Sequence, residues 1–252
     1  MRSLRVLPLG SSDVDASALL LPGIATPGTR VVTPVYAYLL ELDEGIVLVD
    51  TGMSPVHIDE PGAGFDPGFA ALLTPQMTEA DRLEARLAAA GLRPADLAGV
   101  INTHLHFDHA GNNALFAGVP IYVQRAHYDE ALGHPAYPNE LWNLPGLHYE
   151  LLDGETELFP GVQTLLTPGH APAHQSLLLT LGSGRRVLLC ADAILSRANI
   201  DHDNWETQAD PFEARRSARR LVELAAEHDA LMIFGHDPVQ MHELTYAPGR
   251  YS

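Results

Sequence analysis

Residues 101–112 read INTHLHFDHAGN and place four side chains able to bind metal or carry protons, His104, His106, Asp108 and His109, within six positions. The preceding run LAGVINT (97–103) has the apolar content of a short buried strand, so the histidines fall where a strand ends. Two residues apart at a strand end, His104 and His106 point to the same side, and the turn that follows can swing Asp108 and His109 toward the same point. Together they suit two ions. A helical pair of ligands would instead be spaced by four.

Two metals need more donors than one cluster holds, and three other strand ends offer them. LLTPGHAPAHQS (165–176) places His170 after an apolar run, VLLCADAI (187–194) ends one at Asp192, and LMIFGHDP (231–238) ends one at His236. Loops that leave one rim of a sheet converge on one site.

The rest of the chain supplies a frame of strands and helices. TPVYAYLLELDEGIVLVDTG (33–52) reads as a hairpin turning at Asp43 to Gly45, and VPIYVQ, VQTLLTP, HQSLLLTL, RRVLLCAD and LMIFGHD read as further strands. MTEADRLEARLAAAGLRP (77–94) predicts a helix capped by Thr78 and stopped at Gly91. A second helix starts at Asp210 with Pro211 in its first turn and Glu213 completing a capping box, and its Ala218, Leu221, Leu224 and Ala225 share one face. Between hairpin and first helix, MSPVHIDEPGAGFDPGFAALLTP (53–75) has no sustained period and reads as an irregular excursion or lid. With no repeat at domain scale, residues 1–252 are expected to form one α/β sandwich domain.

Composition removes several functions. Fifteen basic against thirty-two acidic residues give a net charge of −17, which repels nucleic acid and anionic lipid. All fifteen basic residues are arginine, so lysine Schiff-base chemistry and lysine-dependent phosphate loops are excluded. The lone Cys190 excludes an internal disulfide and suits a reducing compartment, and the N-terminal run is broken by Pro8 without a signal peptide's core, so a cytoplasmic location is expected. Cys190 itself reads as an inert core residue on Asp192's side of its strand. Asp50 reads equally as an orienting group for a metal-binding loop or a turn residue, and His174 as a loop hydrogen-bonder. His57, His127, His134, His148, His202, His228 and His242 lack a matching context and are expected to be surface or structural, and RRSARR (215–220) a solvated ion-paired face.

The pattern His104-x-His106-x-Asp108-His109, followed by His170, Asp192 and His236, resembles the metallo-β-lactamase superfamily, and within it the N-acyl homoserine lactonases. VDTGM, PQMTEADR, HLHFDHAGN, VQRAHYDEAL, PGVQTLLTPGHAPAHQSL and IFGHD follow that family's order over nearly the whole chain. The resemblance implies an αββα sandwich with two zinc ions per chain, one held by His104, His106 and His170, the other by Asp108, His109 and His236, with Asp192 bridging. Cobalt, manganese or iron would suit the same donors. It further implies a hydroxide bridging the two ions that attacks the lactone carbonyl, with Asp108 carrying the proton to the departing ring oxygen.

Where the lactonases carry a tyrosine three residues beyond the bridging aspartate, this chain has Leu195. Phe65, Phe69 and Phe107 fall where the related enzymes keep aromatics near substrate, as an acyl pocket or simply as packing. The implied partner is a small lactone, with a homodimer through the excursion by family analogy. Competing readings are a broader lactone, ester or thioester hydrolase, a di-iron oxidoreductase, for which the chain has no flavin domain, and a non-enzymatic metal-binding protein.

Overall fold

The computed structural model describes residues 1–252 as two facing sheets with helices on both outer faces. The first sheet comprises β1 (Ser3–Asp15), β2 (Arg30–Glu41), β3 (Ile46–Val49), β4 (Leu73–Gln76), β5 (Gly99–Ile101), β6 (Pro120–Gln124) and β7 (His148–Leu152), in the order β4-β1-β2-β3-β5-β6-β7. The second holds β8 (Glu157–Phe159), β9 (Val162–Leu166), β10 (Gln175–Thr180), β11 (Arg186–Ala191) and β12 (Leu231–Phe234), in the order β12-β11-β10-β9-β8.

Alternation along the strands builds three layers of core. Leu4, Tyr36, Tyr38, Leu40, Val47, Val49 and Ile101 of the first sheet meet Val162, Leu177, Leu179, Val187, Leu189 and Ile233 of the second. The intervening residues face outward. Leu39, Leu48 and Ile121 pack on Leu83 and Leu87 of a helix, while Leu178, Leu188 and Phe234 pack on Ala214, Ala218, Leu221 and Ala225 of another. This is the expected αββα sandwich. No helix is long and apolar enough to cross a membrane.

The helices in chain order are α1 (Ala16–Leu19), α2 (Val56–Asp59), α3 (Pro67–Leu72), α4 (Leu83–Ala89), α5 (Arg125–Ala131), α6 (Asn139–Trp142), α7 (Arg197–Asp201) and α8 (Pro211–His228). The β2–β3 hairpin forms as expected, with Leu42 N–H donating to Gly45 O at its turn. The excursion is less irregular than its composition suggests. It folds into α2 and α3, and Asp66 caps α3 by accepting the Gly68 and Phe69 amides at 2.8 and 3.1 Å. The helix expected from Thr78 is split, because Arg82 is extended (ψ 136°) between a 3₁₀ turn at Glu79–Asp81 and α4.

The α8 N-terminus departs from the expected capping box in a way that serves the site. Asp210 Oδ1 accepts the Phe212 and Glu213 amides at 3.0 Å each, but its own amide donates to Gly169 O at 2.8 Å, where the box would have used Glu213. The Glu213 carboxylate pairs with Arg216 instead. Helix and turn touch closely: a Cβ on Gly169 would lie 2.3 Å from the Ala214 backbone. Leu179 is fully buried between the sheets, so Leu179→Ala is expected to lower the unfolding free energy by about 2–5 kcal/mol in denaturant titration.

Candidate metal centre

Seven side chains from four loops meet at one edge of the sandwich: His104, His106, Asp108 and His109 after β5, His170 after β9, Asp192 after β11 and His236 after β12. Their donor atoms form three overlapping groups, His104–His106–His170, His104–His109–Asp192 and Asp108–His109–His236, each within 4.8 Å. In the first group, His106 Nδ1 lies 2.9 Å from both His104 Nε2 and His170 Nε2. In the third, His236 Nε2 and His109 Nε2 lie 3.5 and 3.8 Å from Asp108 Oδ2. Asp192 touches both sides, with Oδ2 3.2 Å from His170 Nε2 and Oδ1 3.2 Å from His109 Nε2 and His236 Nε2.

Burial dominates the electrostatics. It pushes His104 and His106 well below the usual imidazole range, with neighbouring imidazoles adding to the effect, so their lone pairs are free to donate. Burial opposes charge on His236 most strongly, but the Asp192 and Asp108 carboxylates together outweigh it and raise that ring to about 9; His109 is raised well above the usual imidazole range by Asp192, Asp108 and Asp50 acting together against burial. Asp192, whose burial favours the neutral acid, is held well below the carboxylate range by His236, His109 and His170. The buried anion thus demands positive charge at these atoms.

Two observations fit a metal. His109 Nε2 and Asp192 Oδ1 are buried, face each other, and make no hydrogen bond with any partner. Three mutually facing imidazole nitrogens, all pushed below the usual imidazole range by burial, are a poor hydrogen-bond set but a good ligand set, since tetrahedral Zn–N bonds of about 2.0–2.1 Å place nitrogens about 3.3 Å apart.

Hydrogen bonds behind the donors aim them. His109 Nδ1 donates to Asp50 Oδ2 at 2.8 Å, His170 Nδ1 to Gln208 Oε1 at 3.0 Å, and His236 Nδ1 to Pro34 O at 2.8 Å. His104 Nδ1 lies 3.1 Å from Thr103 Oγ1, which donates to Asp50 at 2.8 Å. Asp50 also accepts the Thr103 amide at 2.8 Å, and it sits in the left-handed region (φ 57°), where a short polar side chain is tolerated. Of its two expected roles, Asp50 takes the orienting one.

Other histidines brace the loops. His174 Nε2 accepts the Asp192 amide at 3.2 Å and its Nδ1 lies 2.9 Å from Thr167 Oγ1. Buried His127 accepts the Leu105 amide at 2.9 Å and donates from Nδ1 to Pro172 O at 2.8 Å, tying the first ligand loop to the His170 turn. His57 is also buried, bonded to Pro61 O at 3.0 Å. His134, His148, His202 and His242 are exposed and His228 is half-buried. The RRSARR arginines pair with Asp203, Glu213 and Glu155.

Phe65, Phe69 and Phe107 come together edge to face, with centroids 4.8–6.4 Å apart, and His57 stacks on Phe65 at 5.2 Å. Leu195 does not join them. It packs with Val14, Ala16 and Leu20, while its carbonyl accepts the His236 amide at 2.8 Å. Cys190 faces α8, because the left-handed Ala191 (φ 45°) breaks the alternation that would have put it on Asp192's side.

A sandwich of this kind with imidazole and carboxylate donors gathered at one edge defines a class of metal-dependent folds. Residues 30–236 match the metallo-beta-lactamase superfamily. The chain is 39% identical to the N-acyl homoserine lactonase AiiA of Bacillus thuringiensis subsp. kurstaki over 94% of each chain, and 30% identical to the lactonase AttM of Rhizobium radiobacter over 87% of this chain and 88% of that one. It superposes on an N-acyl homoserine lactone hydrolase solved with the product N-hexanoyl-L-homoserine at its catalytic metal centre, with a TM-score of 0.91, 38% identity and coverage of 99% of each chain. The chain belongs to the N-acyl homoserine lactonase family of the metallo-β-lactamase superfamily.

Removing Asp50 leaves His109 Nδ1 and the Thr103 amide without their acceptor. Asp50→Ala is expected to weaken metal retention by about 10–100-fold in chelator competition. Burial lowers His127 to about 4, so the unfolded chain takes up its proton first as pH falls. Stability tied to this residue is complete above pH 6.5 and lost toward pH 4. In metal-free protein, His127→Gln is expected to flatten the fall of unfolding free energy across that window, measured by denaturant titration at stepped pH.

Proposed function

We propose that the chain is a binuclear zinc hydrolase that opens the lactone ring of N-acyl homoserine lactones, the quorum-quenching reaction, acting as one domain over residues 1–252 in the cytoplasm. The observation that carries this reading is Asp192, whose carboxylate lies between the two donor sets, 3.2 Å from His170 on one side and from His109 and His236 on the other, in a chain 39% identical to such lactonases. His104, His106 and His170 would hold one ion and Asp108, His109 and His236 the other. Bound divalent ions supply Lewis acidity and bring the pKa of water from 15.7 down to about 7. Zinc is the assigned ion; cobalt, manganese and iron suit the same donors.

The chain's own residues do the rest. Asp108 is 8% exposed, and its Oδ2 lies 3.5 Å from His236 Nε2 and 3.8 Å from His109 Nε2. In this reading Asp108 would take the proton of the attacking water and return it to the ring oxygen. The acyl carbon gains OH, the ester C–O bond breaks, and the ring oxygen leaves as the homoserine hydroxyl with the amide intact. The half-buried rings of Phe65, Phe69 and Phe107 offer an apolar face to the acyl chain and exclude water beside Asp108.

A broader lactone or ester range is the second reading. It is favoured by Leu195, which turns into the Val14–Ala16–Leu20 cluster and offers no hydroxyl where the lactonases carry one. A pH-monitored panel of acyl homoserine lactones, other lactones, aryl esters and a thioester separates the two; strong preference for the first set is expected, and equal rates on all would establish the second. Asp108→Asn is expected to cut ring opening by about 10²-fold or more with metal content unchanged by elemental analysis. Parent-like turnover in that variant would remove Asp108 from the proton path.

A further inference from the structure

We infer that Tyr137 is the positioning residue for His106, fixing by stacking the one imidazole ligand that has no hydrogen bond behind it. The inference rests on the reading of His106 as a metal ligand.

The four other ligand histidines direct Nε2 at the site and anchor Nδ1 on Thr103, Asp50, Gln208 or the Pro34 carbonyl. His106 is reversed. Its Nδ1 faces His104 and His170, and its outward Nε2 has no bond within the chain. An imidazole with free rotation about χ2 would sweep its lone pair off the point where the other two converge.

What restrains the ring is a flat contact. The Tyr137 ring lies parallel to it, tilted by 15° with centroids 4.9 Å apart, while His104 and His170 stand almost perpendicular at 83° and 88°. Two perpendicular rings on one side and a parallel one on the face leave a single ring plane.

Tyr137 is itself immobile enough to impose that plane. It is 4% exposed, belongs to the cluster of Leu105, Ala110, Val123, Ala131, Trp142 and Ala171, and meets the His127 ring edge to face at 5.0 Å. His127 in turn holds the Leu105 amide, the peptide between His104 and His106. Backbone and ring of the second ligand are therefore both set by residues 127–137, a segment that donates no ligand.

The contact needs a flat aromatic face and not the hydroxyl, so Tyr137→Phe, Tyr137→Leu and Tyr137→Met are the informative variants. Their zinc affinities are read by competition with a chromogenic chelator, alongside apo-protein Tm and the visible spectrum of the cobalt-substituted protein. Phe is expected to match the parent. Leu and Met are expected to lose the ion held by His104, His106 and His170 about 10-fold or more readily and to alter the cobalt spectrum, by an amount the fall in apo Tm does not predict. Met, being unbranched and adaptable, keeps the test available if Leu does not fold. Parent-like affinity and spectrum in a folded Leu or Met variant would overturn the inference. A parent protein that binds no ions would instead overturn the reading of the site.

Discussion

One buried carboxylate organises this molecule. Asp192 is 3% exposed and lies against imidazoles delivered by both sheets, His109 by the first and His170 and His236 by the second. An anion so enclosed is stable only beside positive charge, and the surrounding sequence is arranged to keep that charge at its oxygens. His174 fixes its backbone, the left-handed Ala191 turns it out of the strand, and Asp50 and Pro34 aim His109 and His236 at it. The four loops differ in length and origin, but each carries a donor within reach of the same two oxygens or of their immediate neighbours.

The donors themselves were plain in the sequence because each sits one step past an apolar run, where period and chemistry change together. The same signal gave the hairpin, β9 to β12 of the second sheet and α8, but not the three-residue edge strand β8. What escaped has a physical cause in each case. β1 is the longest strand, but the register shift between Pro8 and Ser11 and its polar second half interrupt the alternation that marks a strand. Helix α5 begins at Arg125 directly after β6 ends at Gln124, with no turn residues to announce it. Helices α2 and α3 are too short to show a period.

Around the site, the bracing groups were the hidden part. Asp50 left two readings open because a turn aspartate and an orienting one have the same local sequence, and only its contact with Thr103 and His109, some fifty residues away, decides between them. His127 and Tyr137 lie in a stretch that donates no ligand, and although His127 falls within VQRAHYDEAL, the bracing contacts of both come from what the tertiary fold lays against them. Leu195 shows the reverse: its position was read by alignment with the lactonase pattern, whereas its side chain follows local apolarity and joins a neighbouring cluster.

The placement of donors on both sheets makes the centre a clasp across the sandwich. The loop after β5 and the loop after β12 are separated by most of the C-terminal half of the chain, and the sheets otherwise adhere mainly through apolar side chains, with Gln175 of the second sheet bonded to Gln124 and to the Asn102 carbonyl of the first. Cations gripped only by the assembled clasp favour the closed sandwich by mass action. Scarcity of metal in the cell would then thin the population of intact molecules as well as silence those that survive, coupling proteolytic turnover to trace-element supply.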